Sequence, residues 1–100
     1  MDRNVQVQWA IAKVIREARN SLGISQVQLA DFSGLSYPFI SDVERGRIGV
    51  SVSALLQLAV VLKVDAAELM RRIEADMELG PQPPTKIPGR PRKKAQKNTL

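Results

Sequence analysis

Cysteine and histidine are both absent from the 100 residues. Without them there is no disulfide framework, no thiol nucleophile, no Cys/His zinc site, and none of the commonest general base. The carboxylates and serines are dispersed and no phosphate-cradling loop joins them, so no enzyme, catalytic residue, bound metal or cofactor is expected. A run approaching the roughly 20 apolar residues that a membrane span needs is also missing. The polar start Met1, Asp2, Arg3, Asn4 has no apolar stretch of the signal-peptide kind. A soluble cytoplasmic protein is therefore expected. With 44% hydrophobic residues, a chain of this length can bury one modest core and no more.

Positive charge is present but unevenly spread. Of the 15 Lys and Arg residues, six (Lys86, Arg90, Arg92, Lys93, Lys94 and Lys97) fall in residues 81–100, where there is no acid. Nine bases against ten acids then remain in residues 1–80, a net charge of −1. The high pI of about 10.1 thus belongs to the last segment. Such a segment is an electrostatic handle for a polyanion, of which nucleic acid is the usual one. Pro81, Pro83, Pro84, Pro88, Gly89 and Pro91 punctuate it, and apolar residues there are sparse. A disordered basic arm over 81–100 following a folded domain over 1–80 is the expectation.

Strand-type alternation is lacking in residues 1–80, whereas helical periods recur, which points to an all-α fold. Ile11, Val14, Ile15, Ala18 and Leu22 form one stripe of a first helix, about Val5 to Leu22, that Gly23 stops. Ser25 with Gln28 is a capping-box start for a short helix from Gln26 to Phe32 or Ser33. Ser36 can cap a third helix, Tyr37 to Arg45, with Pro38 in its tolerant first turn. Ser51 caps a fourth that holds Leu55, Leu56, Leu58, Ala59 and Leu62. Asp65 with Glu68 resembles a capping box for a fifth, running to about Leu79. Five helices are expected.

The second and third of these have the spacing of a helix-turn-helix over about residues 25–45, in which the second helix of the pair lies in the DNA major groove. Counted from Gln26, small Ala30 is fifth, Gly34 ninth at the turn, and apolar Ile40 and Val43 fifteenth and eighteenth. Burying Ile40 and Val43 leaves Tyr37, Pro38, Ser41, Asp42 and Arg45 facing outward.

The segments Arg16-Glu17-Ala18-Arg19, Gly23-Ile24-Ser25-Gln26, Leu29-Ala30, Ser33-Gly34-Leu35-Ser36, Ile40-Ser41 and Glu44-Arg45-Gly46-Arg47 resemble the Cro and phage-repressor type of regulator, with its lambda-repressor-like fold. The resemblance implies sequence-specific binding of double-stranded DNA and transcriptional regulation, as a repressor located with the nucleoid. It places Gln26 on a DNA phosphate at the start of the second helix, where free N–H groups favour an anion. It places Ser36, Tyr37, Pro38, Ser41 and Asp42 in the groove, and Arg45 and Arg47 on the flanking backbone. Tyr37 and Pro38 depart from the family's frequent Gln, Arg or Asn and offer no bidentate base contact, so each half-site should discriminate weakly. Val50 stands where the family commonly has proline.

Pro88-Gly89-Arg90-Pro91-Arg92-Lys93-Lys94 resembles an AT-hook in which Pro88 replaces the usual arginine. That likeness implies minor-groove contacts by Arg90, Arg92, Lys93 and Lys94; a solvated arm adding nonspecific affinity is the other reading. Arg16 and Arg19 can touch DNA or pair with Glu17 and Glu44. Tyr37 can read DNA or anchor its helix, while Phe32 and Phe39 are expected to be partly packed. Leu69, Met70, Ile73 and Met77 make a stripe that either covers the core or forms a homodimer interface through helix 66–79. A dimer would set two recognition helices about 34 Å apart. The competing function is a protein-interaction module, antitoxin-like, using the same fold.

Overall fold

The structure, a computed structural model, describes residues 2–84. Arg90, Arg92, Lys93 and Lys94, and with them the AT-hook-like motif, lie outside the described residues. Five helices follow in order: α1 (Arg3–Leu22), α2 (Gln26–Ser33), α3 (Tyr37–Glu44), α4 (Val52–Leu62) and α5 (Ala66–Glu78). No strand occurs among the described residues, and the fold is all-α as expected.

Side-chain caps set most of the helix starts. Asp2 Oδ1 accepts from the Asn4 N–H at 2.8 Å, which begins α1 before the expected Val5. The Ser25 capping box is complete: Ser25 Oγ accepts from Gln28 N at 3.0 Å, while Ser25 N donates to Gln28 Oε1 at 2.9 Å. Ser36 and Ser51 accept from Phe39 N at 3.2 Å and Ala54 N at 3.0 Å. Each such cap satisfies an orphan N–H and contributes about 1 kcal/mol. The start of α5 differs from expectation, because Asp65 makes no side-chain cap bond. Glu68 points instead along its own helix, accepting from Arg71 Nε at 3.1 Å and Arg72 Nε at 2.9 Å, and two guanidinium groups outcompete one backbone N–H.

The helices close around one core in which Ile15, Leu29, Ile40, Val43, Leu58 and Leu69 are fully buried. α1 packs against α3, α4 and α5, and α2 lies against α3 and α4. The α5 stripe is consumed here. Leu69 and Ile73 are buried in the core and Met77 packs against it, so only Met70 of the four residues stays exposed. Of the two readings of that stripe, core cover is the one realised by Leu69, Ile73 and Met77, on the helix that packs against α1. Phe39 packs against the core as expected, but Phe32 is 63% exposed.

Beyond α5 the chain turns back over α1. Gln82 Oε1 accepts from Lys13 Nζ at 3.1 Å, and the same ammonium pairs with Asp76 on α5 at 3.0 Å. Pro84 and Trp9 both close on Gly46, so the described chain keeps contact with the domain past the expected boundary at residue 80.

Candidate nucleic-acid interface

The turn between α2 and α3 depends on Gly34, whose φ of +78° is a conformation L side chains rarely adopt. Gln57 on α4 fixes the same corner by donating to the Ser33 carbonyl at 3.3 Å. With the turn set, α3 inserts Ile40 and Val43 into the core and turns its opposite side outward.

On that opposite side Pro38, Asp42 and Arg45 fall at i, i+4 and i+7, which is one helical face. Pro38 and Arg45 are exposed and Asp42 is half-buried. Tyr37 flanks them at 46% exposure, with Ser36 at the helix start, its Oγ committed as a cap acceptor but its O–H free to donate. Arg47 leaves the following loop and approaches Asp42, Nη1 to Oδ1, at 3.9 Å on the exposed surface. The structure therefore brings Ser36, Tyr37, Pro38, Asp42, Arg45 and Arg47 together on α3, its N-cap and the loop that follows it. Ser41 departs from the outward orientation expected of it, being only 8% exposed. It sits on the flank shared with Glu44, and the burial of Glu44 draws that flank of α3 inward.

Glu44 is the centre of a buried polar cluster. Its carboxylate receives both Arg19 Nε at 2.6 Å and Arg19 Nη2 at 2.9 Å, a bidentate pair with 11% and 2% side-chain exposure. Arg19 Nη1 donates further to the Ile24 carbonyl at 2.9 Å, and Gln26 Nε2 donates to Glu44 Oε1 at 3.0 Å. Of the two roles open to Arg19, the internal ion pair is the one realised. This cluster ties the end of α1, the start of α2 and the end of α3 together, so the two helices of the motif are held at a fixed mutual orientation. Gln26, expected on a phosphate, spends its amide N–H on this clamp. Its side-chain oxygen and the first backbone N–H groups of α2 remain the groups available at that end. Arg16 stays apart, with Nη1 buried and without a hydrogen-bond partner among the described residues.

The sequence reading missed the contact of Trp9, Gly46 and Pro84. Gly46 is buried in the loop between Arg45 and Arg47, and a Cβ placed there would lie 2.7 Å from Pro84 Cγ and 2.8 Å from Trp9 Cδ1. Trp9 carried the available signal, as a large apolar residue beyond what the core required. Nothing local marked Pro84. Among the described residues no group of carboxylates could hold a metal ion, and no helix is long and apolar enough to cross a membrane.

Two short helices locked across a glycine turn, with the second presenting a polar face, define a helix-turn-helix protein. The family profile described as Helix-turn-helix matches residues 15–69, and the chain belongs to that family, in its Cro/C1-type form. It is 35% identical over 68 residues to the control protein C.SmaI of Serratia marcescens, covering 68% of this chain and 81% of that one. It is 43% identical over 58 residues to an uncharacterized HTH-type transcriptional regulator of Mycobacterium tuberculosis, but spans only 41% of that protein's length. Among solved structures, the clp gene regulator ClgR of Corynebacterium glutamicum matches with a TM-score of 0.69 at 27% identity, covering 73% of this chain and 78% of that one. The restriction-modification controller C.AhdI of Aeromonas hydrophila matches with a TM-score of 0.60 at 37% identity, over 62% of this chain and 94% of that one. DNA binding and transcription regulation are the business of this family.

Proposed function

We propose that the chain is a sequence-specific repressor that binds double-stranded DNA as a homodimer, with α3 in the major groove. The observation that carries this reading is the face of Pro38, Asp42 and Arg45, held rigid from behind by the Arg19–Glu44–Gln26 clamp. In this account Tyr37 and Pro38 make apolar contacts with thymine methyls, Asp42 accepts from a cytosine amino group, and Ser36 donates near the helix start. Ser41 supports the face from its buried flank. Arg45, Arg47 and the Gln26 end of α2 position the domain on phosphates. Arg90, Arg92, Lys93 and Lys94 add phosphate contacts from the arm.

Weak reading by each half-site makes a dimer the natural means to specificity, because two half-sites multiply. The surface offered for it is on α4, where Val52, Leu56 and Val60 recur at i, i+4 and i+8 and remain 74%, 51% and 79% exposed. Met70 of α5 is exposed as well. A stripe of this kind on a domain of this size is the mark of an interaction surface.

A second reading, a protein-interaction module, draws on one observation: the acidic Asp42, whose charge repels phosphate, occupies the middle of the α3 face, with Arg47 Nη1 3.9 Å from it. Substitution separates the two. Gln26→Ala should weaken binding to all duplexes alike, and Arg47→Gln should lower the salt slope by about one. Tyr37→Ala and Asp42→Ala should instead change preference at particular base pairs. Equal losses from all four on every duplex would overturn the assignment of roles, and unchanged DNA binding throughout would favour the interaction module.

A further inference from the structure

The position of Pro84 bears on the six cations that follow it in the sequence. It rests against Gly46, the residue between Arg45 and Arg47, with Trp9 of α1 closing the other side. Gly46 serves the contact in two ways: its φ of +73° suits glycine, and its missing Cβ leaves the space that Pro84 Cγ and Trp9 Cδ1 approach. Two residues earlier the chain is tied again, by Gln82 to the Lys13 ammonium that also holds Asp76. The segment after α5 is thus seated at two points, and its end lies beside the loop that carries the phosphate-positioning arginines.

We propose that this seat is an anchor that delivers the basic arm to the DNA backbone flanking α3. The inference rests on the DNA-binding role of the arm and α3 proposed above, and it adds where the arm acts. Chain length makes the point quantitative. A chain advances at most about 3.6 Å per residue, so two residues past Pro84 reach at most about 7 Å and six at most about 22 Å. Both distances are shorter than the roughly 34 Å of one duplex turn. An arm rooted at this place meets the phosphates next to Arg45 and Arg47 at high effective concentration.

The absence of native cysteine permits a direct test. Ile87→Cys in the full chain, three residues past Pro84, carries an iron chelate that cuts nearby DNA, and the probe is a duplex recovered by the full chain from a randomised pool. With the seat intact, cuts should cluster within one helical turn of the α3 footprint. In the Gln82→Ala/Pro84→Ser variant of the same chain, cutting inside that window should fall by roughly threefold and spread outward, as the effective concentration drops. Trp9, the single tryptophan, reports the seat independently, and its emission should shift to the red in that variant while helicity is unchanged. Cuts scattered or absent with the seat intact, or an unaltered Trp9 emission in the variant, would overturn the anchor while leaving the recognition by α3 standing. A chain that recovers no preferred duplex would overturn both.

Discussion

Glu44 shows how a single side chain can decide the geometry of the motif without touching DNA. Its carboxylate is buried with Arg19 and Gln26 as partners, and removing one member of a buried pair leaves the other charged and unmatched. Glu44→Ala should cost about 3–5 kcal/mol in urea unfolding, a large share of the roughly 5–10 kcal/mol available to a domain of this size. A loss below about 1 kcal/mol would mean that the pair is solvated and does not hold the helices. Lys63 makes the opposite case. It caps α4 with φ of +59°, the one non-glycine residue with positive φ among those described. Lys63→Gly should relieve the strain and raise stability by about 0.5 kcal/mol net of the entropy glycine loses, visible as an increase in Tm. The sequence revealed Glu44 as a possible partner of Arg19, since both were in view, but not that Gln26 joins them. Three residues that meet only when three helices pack leave no local pattern.

At the scale of the helices, the starts of α2, α3 and α4 were legible because serine caps and the Ser25–Gln28 box are local signals, satisfied within three residues. The start of α5 was read less well, for its Glu68 had a choice of partners that spacing alone does not rank. The consequence is a pH effect at that helix. Hydrogen bonds from Arg72 and then Arg71 hold the Glu68 carboxyl below its ordinary value, although the group is exposed. A carboxylate with a lowered value in the folded state stabilises above its unfolded value and loses that contribution as pH falls through the folded one. Thermal melts of the wild type and Glu68→Gln should therefore differ slightly at pH 7 and converge as the medium becomes acid. A difference that persists or grows as the medium becomes acid would contradict the pairing. The orientation of Ser41 was misread for a related reason: the apolar residues of α3 define its inner face, and a buried glutamate widens that face beyond them.

Over the whole molecule, helical periodicity sufficed for an all-α fold of five helices, while the division of apolar stripes between core and surface depended on how the helices pack. α5 looked available for a partner and turned out to be held by α1; the free stripe is on α4. Val60→Glu should accordingly leave the fold intact, since that residue is 79% exposed, and convert a dimer to a monomer in sedimentation. An unchanged sedimenting mass would remove α4 from the interface. Charge has the same divided character: residues 1–80 carry a net −1, and residues 81–100 carry six cations and no acid. The central claim is that the face of Pro38, Asp42 and Arg45 reads sequence. Its most direct measurement is selection of duplexes from a randomised pool by the full chain and by its Asp42→Ala variant. The account predicts one enriched, two-fold-related site for the wild type, with preference relaxed in the variant at a single base-pair position of each half. Enrichment of no site, or the same site with the same preferences in both, would contradict it.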